Sequence, residues 1–327
     1  MRLLQITASL AASLLAFPLL AARPAAAEGL AFVINSAGAS ISVVDVDQKK
    51  ELRRIPVLRE PHHMALTPDH ASLLIGDSAG NELIFLDPRT GEVQRRMTVA
   101  DPYQIEFSPD GKWLVITGLA RNQIDVYDAA TYRLVHRYPA AAMPSHINFS
   151  PDSAAVYVSL QSTNSLMAID LHHQVPLWTA KVGETPAGVL WHNGKLMVGI
   201  MGGDYVALID PATGAVTGKI QTARGAHVLF VPPDRKVIYV TDRVEGVIVV
   251  LDPVSLKEVR RFSIPGGPDD IDFAPDGKLW VTLRWARSVA IVDPLTGQYE
   301  SVPVGRSPHG IWLNTHDHLG AKVTASR

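Results

Sequence analysis

Residue pairs able to hold a ligand recur at seven places, each directly after a Pro or Gly. They are His62-His63, Tyr103-Gln104, Ser145-His146, Ala187-Gly188, Ala226-His227, Asp269-Asp270 and His309-Gly310. Five of these 14 positions are His, whereas 12 His in 327 residues would put roughly half a His there by chance. Two positions per repeat make two rings. The second ring reads His63, Gln104, His146, Gly188, His227, Asp270 and Gly310. Three imidazoles with a carboxylate, His63, His146, His227 and Asp270, form a donor set that suits zinc, copper or iron. One imidazole could instead ligate a haem iron. Equally, such His residues could hydrogen-bond a neighbouring strand or ordered water and bind nothing.

Arginines lie close by in sequence. Arg121, Arg243, Arg284 and Arg287 follow one strand of their repeats, and Arg59, Arg224 and Arg306 precede the paired positions. All seven are expected on the His-bearing face. Arg grips carboxylates and phosphates with two parallel hydrogen bonds. That face therefore suits an anion: a haem propionate, a tricarboxylate quinone cofactor, a nucleic-acid phosphate or an acidic partner protein. Plain solvated loop arginines are the alternative. Tyr103, Tyr205 and Trp285 are the aromatics expected near this face. Tyr103 sits in a paired position and is the best placed to stack a flat cofactor.

What must gather these residues is a repeat. An alternating apolar strand ending in Asp occurs seven times, at Asp45, Asp87, Asp128, Asp170, Asp210, Asp252 and Asp293, at intervals of 42, 41, 42, 40, 42 and 41 residues. Pro-Asp turns keep the same period at Pro68-Asp69, Pro109-Asp110, Pro151-Asp152, Pro233-Asp234 and Pro275-Asp276. Pro fixes the first turn corner and Asp hydrogen-bonds nearby backbone. Each period therefore reads as four strands, which makes it a propeller blade. A β-sandwich would space its strands similarly but would not recur seven times. The expected fold is an all-β, seven-bladed propeller with four antiparallel strands per blade. After Pro308 only one strand remains, and three precede Pro61. The C-terminal strand is thus expected innermost in a blade completed by the N-terminus, closing the ring and removing free edges.

Composition bounds the rest. Residues 1–27 read as a signal peptide, with Arg2, an apolar run and Ala25-Ala26-Ala27 as the cleavage site. Pro18 interrupts that run and no second one follows, which argues against a membrane anchor. The expected layout is signal peptide 1–27, propeller 28–316 and polar tail 317–327, in a periplasmic or secreted protein. Zero Cys excludes disulfides, thiolate metal sites and covalent c-type haem. A formal charge of −2 gives no general pull on nucleic acid.

Phe107-Ser-Pro-Asp-Gly-Lys112 and Val237-Ile-Tyr-Val-Thr-Asp242 resemble the repeat of the YVTN-type β-propeller family. The resemblance covers about residues 31–314. It implies an exported propeller, in a family that includes surface proteins, DNA-binding propellers and proteins associated with quinoprotein oxidation systems. The chain resembles more distantly the haem-binding propeller of periplasmic nitrite reductases. That domain has eight blades, so its haem ligands do not transfer to the seven repeats here. Nothing matches the catalytic residues of the lactonase branch of such propellers.

Three functions follow. The first is a non-enzymatic binding scaffold for a small anionic ligand or a periplasmic redox protein. The second is a metal- or haem-binding oxidoreductase or cofactor-processing enzyme. The third is a single-stranded DNA binder. The candidate ligand contacts are His62, His63, Tyr103, Gln104, His146, His227, Asp270, His309, Arg121, Arg243 and Arg284, with no catalytic residue assigned.

Overall fold

Val, Ile and aromatic side chains alternate along short segments bounded by turn residues, and these become strands packed between neighbouring sheets. The computed structural model describes residues 29–140 and 142–315. Seven four-stranded antiparallel sheets form the described residues. Blade 1 runs from Pro61 to Thr98, blade 2 from Gln104 to Pro139 and blade 3 from Pro144 to Lys181. Blade 4 runs from Pro186 to Gln221, blade 5 from Ala226 to Ser263 and blade 6 from Pro268 to Pro303. Blade 7 joins the C-terminal strand Pro308–Asn314 to Leu30–Asn35, Ser40–Asp45 and Lys50–Pro56, with the C-terminal strand innermost. The ring closes as expected: Pro308–Asn314 packs against both Pro268–Phe273 of blade 6 and Pro61–Leu66 of blade 1.

Each interface between blades carries its own hydrophobic cluster. Ile34, Ile41 and Val43 of blade 7 meet Leu73, Ile75 and Ile84 of blade 1, and six comparable clusters fill the other interfaces. Outermost strands such as Val93–Thr98 are largely exposed. The turn Asp residues behave as their chemistry dictates. Asp87 Oδ1 accepts the Arg89 amide at 2.7 Å, and Asp210 and Asp293 repeat that bond. Helix is confined, among the described residues, to 3-10 turns at Ser36–Gly38 and Gln161–Thr163. No described helix is long and apolar enough to cross a membrane.

One irregularity positions the site. Consecutive strand residues normally point to opposite faces. In blade 1, Pro61 pairs with Asp77 and Met64 with Ile75, so His62 and His63 together oppose a single residue, Gly76. The same break follows Pro144, Pro186 and Pro268, and appears opposite the 308–311 segment. These are β-bulges, which re-aim side chains. They explain how two adjacent residues per blade reach one opening.

The bulge also corrects the ring order. In blade 5, Ala226 pairs with Asp242 and Leu229 with Val240. Ala226 thus occupies the place of the opening Pro, and the two bulge positions are His227 and Val228. His227 belongs to the first ring, beside Asp269, and not to the second ring with His63 and His146. The shift arises because Gly225, at φ 83°, belongs to the preceding turn.

Neighbouring blades are fastened at this level by the second strands. Thr117 Oγ1 donates to the Ser145 carbonyl at 2.7 Å, Thr241 Oγ1 to Asp269 O at 3.0 Å and Thr282 Oγ1 to His309 O at 2.6 Å. Where the backbones approach more closely the residue is Gly. A Cβ on Gly199 would lie 2.4 Å from the His227 carbonyl oxygen.

Candidate functional site at the channel mouth

Innermost strands of five blades deliver the imidazoles. His62 and His63 come from blade 1, His146 from blade 3, His227 from blade 5 and His309 from blade 7, and all five are buried. Their rings form one cluster with Tyr103 of blade 2. His62 lies 4.1 Å from Tyr103 and 4.4 Å from His309, centroid to centroid. His63 lies 4.6 Å from His309 and 5.5 Å from His146, and His146 lies 5.2 Å from His227. Residues separated by up to 247 positions in sequence thus share one opening.

Asp269 is the hub of the cluster and is fully buried. It pairs with Arg243, with Arg284 Nη1 at 3.1 Å and with His227 Nδ1 at 2.9 Å, and His309 Nδ1 stands 3.8 Å away. Burial alone would push the Asp269 carboxyl up. The Arg243 guanidinium, His309 and His227 outweigh it and hold the group well below the usual carboxylate range. Its neighbour Asp270 goes the other way: burial first, then the Asp269 charge, push it well above that range. Two adjacent carboxylates are therefore pushed in opposite directions, Asp269 toward its ionised form and Asp270 toward its protonated form.

Burial also keeps the imidazoles neutral. It drives His62, His146 and His309 well below the ordinary range, His63 down to about 3 and, with Arg243, His227 down to about 4. Burial pushes the Tyr103 phenol up to about 12. Two partly buried guanidinium groups, Arg243 and Arg284, thus share the one carboxylate of Asp269, which leaves the cluster rich in positive charge.

Hydrogen bonding does not exhaust these groups. His62 Nδ1, His63 Nε2, His146 Nε2 and His309 Nδ1 are buried without a hydrogen-bond partner, as is Gln104 Oε1. Buried polar atoms are ordinarily paired with protein, water or ligand. His227 differs: its Nδ1 donates to Asp269 and its Nε2 accepts from Arg243 at 2.6 Å, so both nitrogens are engaged. The nitrogens of His62, His63 and His309 come closest to one another, all within 4.8 Å.

The remaining expected residues divide. Arg243 and Arg284 turn inward to Asp269. Arg121 stays exposed at the rim, its Nη2 donating to Asn81 Oδ1 at 3.3 Å, and lines a cleft of about 250 Å³ with Glu60, His62, Asp101 and Tyr103. Gln104 Nε2 donates to Glu106 Oε2 at 3.3 Å, and burial pushes that carboxyl up to about 7. Tyr205 is not in the cluster, with Lys219 Nζ lying 4.2 Å over its ring, and Trp285 is exposed. Arg224 pairs with Glu245 at 2.6 Å. His173 pairs with Asp170 on an exposed turn. His316 and His318, the signal segment 1–27 and the tail 317–327 lie outside the described residues. Sequence reasoning passed over Asp269 in favour of Asp270. Its signal was present, because two adjacent carboxylates at one mouth cannot ionise together easily.

Fold and site together define a seven-bladed β-propeller with a buried imidazole and arginine cluster at one channel mouth. The chain belongs to the YncE-like β-propeller family, whose sequence profile matches residues 4–320. It is 25% identical over 139 residues to the uncharacterized protein YncE of Salmonella typhimurium, and 24% identical to that of Salmonella typhi. Each match spans 41% of this chain and 39% of the relative. A functionally unknown protein from Desulfotomaculum acetoxidans superposes with a TM-score of 0.75 at 14% identity, over 88% of this chain and 99% of that one. The dihydro-heme d1 dehydrogenase NirN, solved in complex with DHE, gives 0.65 at 15% identity over 86% of this chain and 74% of that one. Hydrazine synthase of Kuenenia stuttgartiensis gives 0.65 at 20% identity over 80% and 94%. At these identities the likeness is one of fold.

Proposed function

We propose that this chain is an exported binding propeller. Its channel mouth holds a small ligand with at least one anionic group, in a periplasmic redox or quinoprotein-associated pathway. One observation carries the reading: four buried imidazole nitrogens without partners converge beside Arg243 and Arg284. A mouth meant only to plug the channel would pair these atoms with one another. The excess positive charge favours an anion, and the cleft between His62, Tyr103 and Arg121 offers a way in. The fold neighbour NirN is by its name a dihydro-heme d1 dehydrogenase, which makes haem a fair first probe, and rings 4 to 7 Å apart would have to part to admit one.

Titration of the purified chain with haem and with a tricarboxylate quinone cofactor, followed by absorbance, tests this. A saturable spectral change that Arg284→Gln weakens supports the reading. Saturation by neither ligand class, or an unchanged response in Arg284→Gln, overturns it. Binding only to single-stranded oligonucleotide, falling steeply with salt, would turn the assignment to nucleic acid.

A further inference from the structure

We infer that His62, His63 and His309 form a binding site for one borderline transition-metal ion of the zinc and copper class, clamping the seam where the propeller ring closes. The inference rests on the mouth being a ligand site and names the ligand held at its tightest point. Three features of the geometry lead to it.

First, the ligand atoms of the triad lie within 4.8 Å of one another. An ion placed centrally would stand no more than about 2.8 Å from each nitrogen. Bringing all three to the roughly 2.0–2.1 Å of a metal–imidazole bond asks each ring to move inward by about 0.7 Å. The blade 1 bulge makes this possible, because it aims adjacent His62 and His63 to one side.

Second, each member of the triad has a buried nitrogen with no hydrogen-bond partner. By contrast, both nitrogens of His227 are held, by Asp269 and Arg243, which removes one member of the set His63, His146, His227 and Asp270. His146, 5.5 Å from His63 ring to ring, remains the nearest further donor.

Third, Asp269 Oδ2 stands 3.8 Å from that same His309 Nδ1, so a carboxylate charge lies beside the ion's place and favours a cation there. Nitrogen-only ligation with no carboxylate or thiolate in the triad favours zinc or copper over magnesium or calcium.

His309 lies in the C-terminal strand and His62-His63 in the first strand after the N-terminal portion of blade 7. An ion held by all three joins blade 7 to blade 1, so it should resist opening of the ring.

The test uses the full mature chain without a polyhistidine tag, stripped with chelator and titrated with zinc by calorimetry and with Cu(II) by electron paramagnetic resonance. One ion per chain is expected, with hyperfine structure from at least three nitrogens and a thermal midpoint raised by zinc. His63→Gln and His309→Gln should each weaken binding at least tenfold and remove the thermal shift, while the exposed His172→Ala/His173→Ala pair should change neither. A wild-type chain that is folded yet binds no ion, a Cu(II) signal from two nitrogens or fewer, or unaltered binding in His63→Gln/His309→Gln overturns the inference. If the variants do not fold, the nitrogen count in the wild type decides. Ion binding without haem or quinone binding would sink the proposed anionic ligand and leave the metal site standing. The reverse result would do the opposite.

Discussion

His227 Nδ1 donates to Asp269 Oδ1 at 2.9 Å, between adjacent blades, while Arg243 closes on both residues from the loop between them. The bond is fully buried, so its charge balance is set by protein groups alone. Replacing Asp269 by Asn leaves the partly buried Arg243 and Arg284 without their anion. Breaking a buried pair from one side costs about 3–5 kcal/mol. Urea denaturation of Asp269→Asn should show a loss of that order with the m-value unchanged. A loss below about 1 kcal/mol would mean water, not Asp269, neutralises the arginines.

Thr282 Oγ1 donates to the His309 carbonyl at 2.6 Å and accepts the Asp270 amide at 2.9 Å. Thr282→Val keeps the shape and strands both buried groups. The expected cost is about 1–3 kcal/mol. Hydrogen exchange should rise along 308–314, the strand that closes the ring. Thr282→Ser should restore protection. If Val and Ser behave alike, the hydroxyl is not the fastening.

Gly199 faces the His227 carbonyl so closely that a Cβ would sit 2.4 Å from it. The obstacle is backbone, so something must shift. Gly199→Ala should destabilise by about 1–3 kcal/mol, the range for overpacking. Circular dichroism melts would show it, and an unchanged midpoint would mean that blades 4 and 5 separate freely.

Asp242 on its own should lower stability as pH rises from about 4 to 7, against the five buried imidazoles, which release protons on folding and so add stability as pH rises toward 6.5. Burial pushes Asp242 up to about 7 although Thr222 and the Ala223 amide bond its Oδ1. Between the unfolded and folded values the native state holds a proton that the unfolded chain has released. Folding therefore binds a proton there, and each pH unit costs up to about 1.4 kcal/mol. Glu106, also raised to about 7, acts in the same sense. Asp242→Asn should remove this one falling contribution, so that the variant gains on wild type as pH rises, most above pH 7. A parallel profile would show that Asp242 is ionised in the fold.

Export is open to direct measurement. The mass of the protein recovered from the periplasm or medium should correspond to a chain beginning at Glu28. A chain retained whole in the cytoplasm would remove the periplasmic setting from the proposed function.

The repeat of Asp-ended strands determined the propeller by itself. Seven such strands at six nearly equal intervals leave the chain few ways to bury alternating apolar strands except as stacked blades, and one strand left over at the end must fill the blade begun at the start. The His enrichment of the paired positions was legible for the same reason, since equivalent points in a repeat share one level of the ring. Tertiary structure alone decided which partners these residues take. Bulges set whether neighbours such as His62 and His63 share a side, and a one-residue offset in blade 5 moved His227 into the first ring. There His227 meets Asp269, which Arg243 and Arg284 also pair with. Spacing along a chain fixes the level at which a side chain stands, but hydrogen bonds and charge balance depend on ångström-scale direction across blades, which no interval in the sequence records.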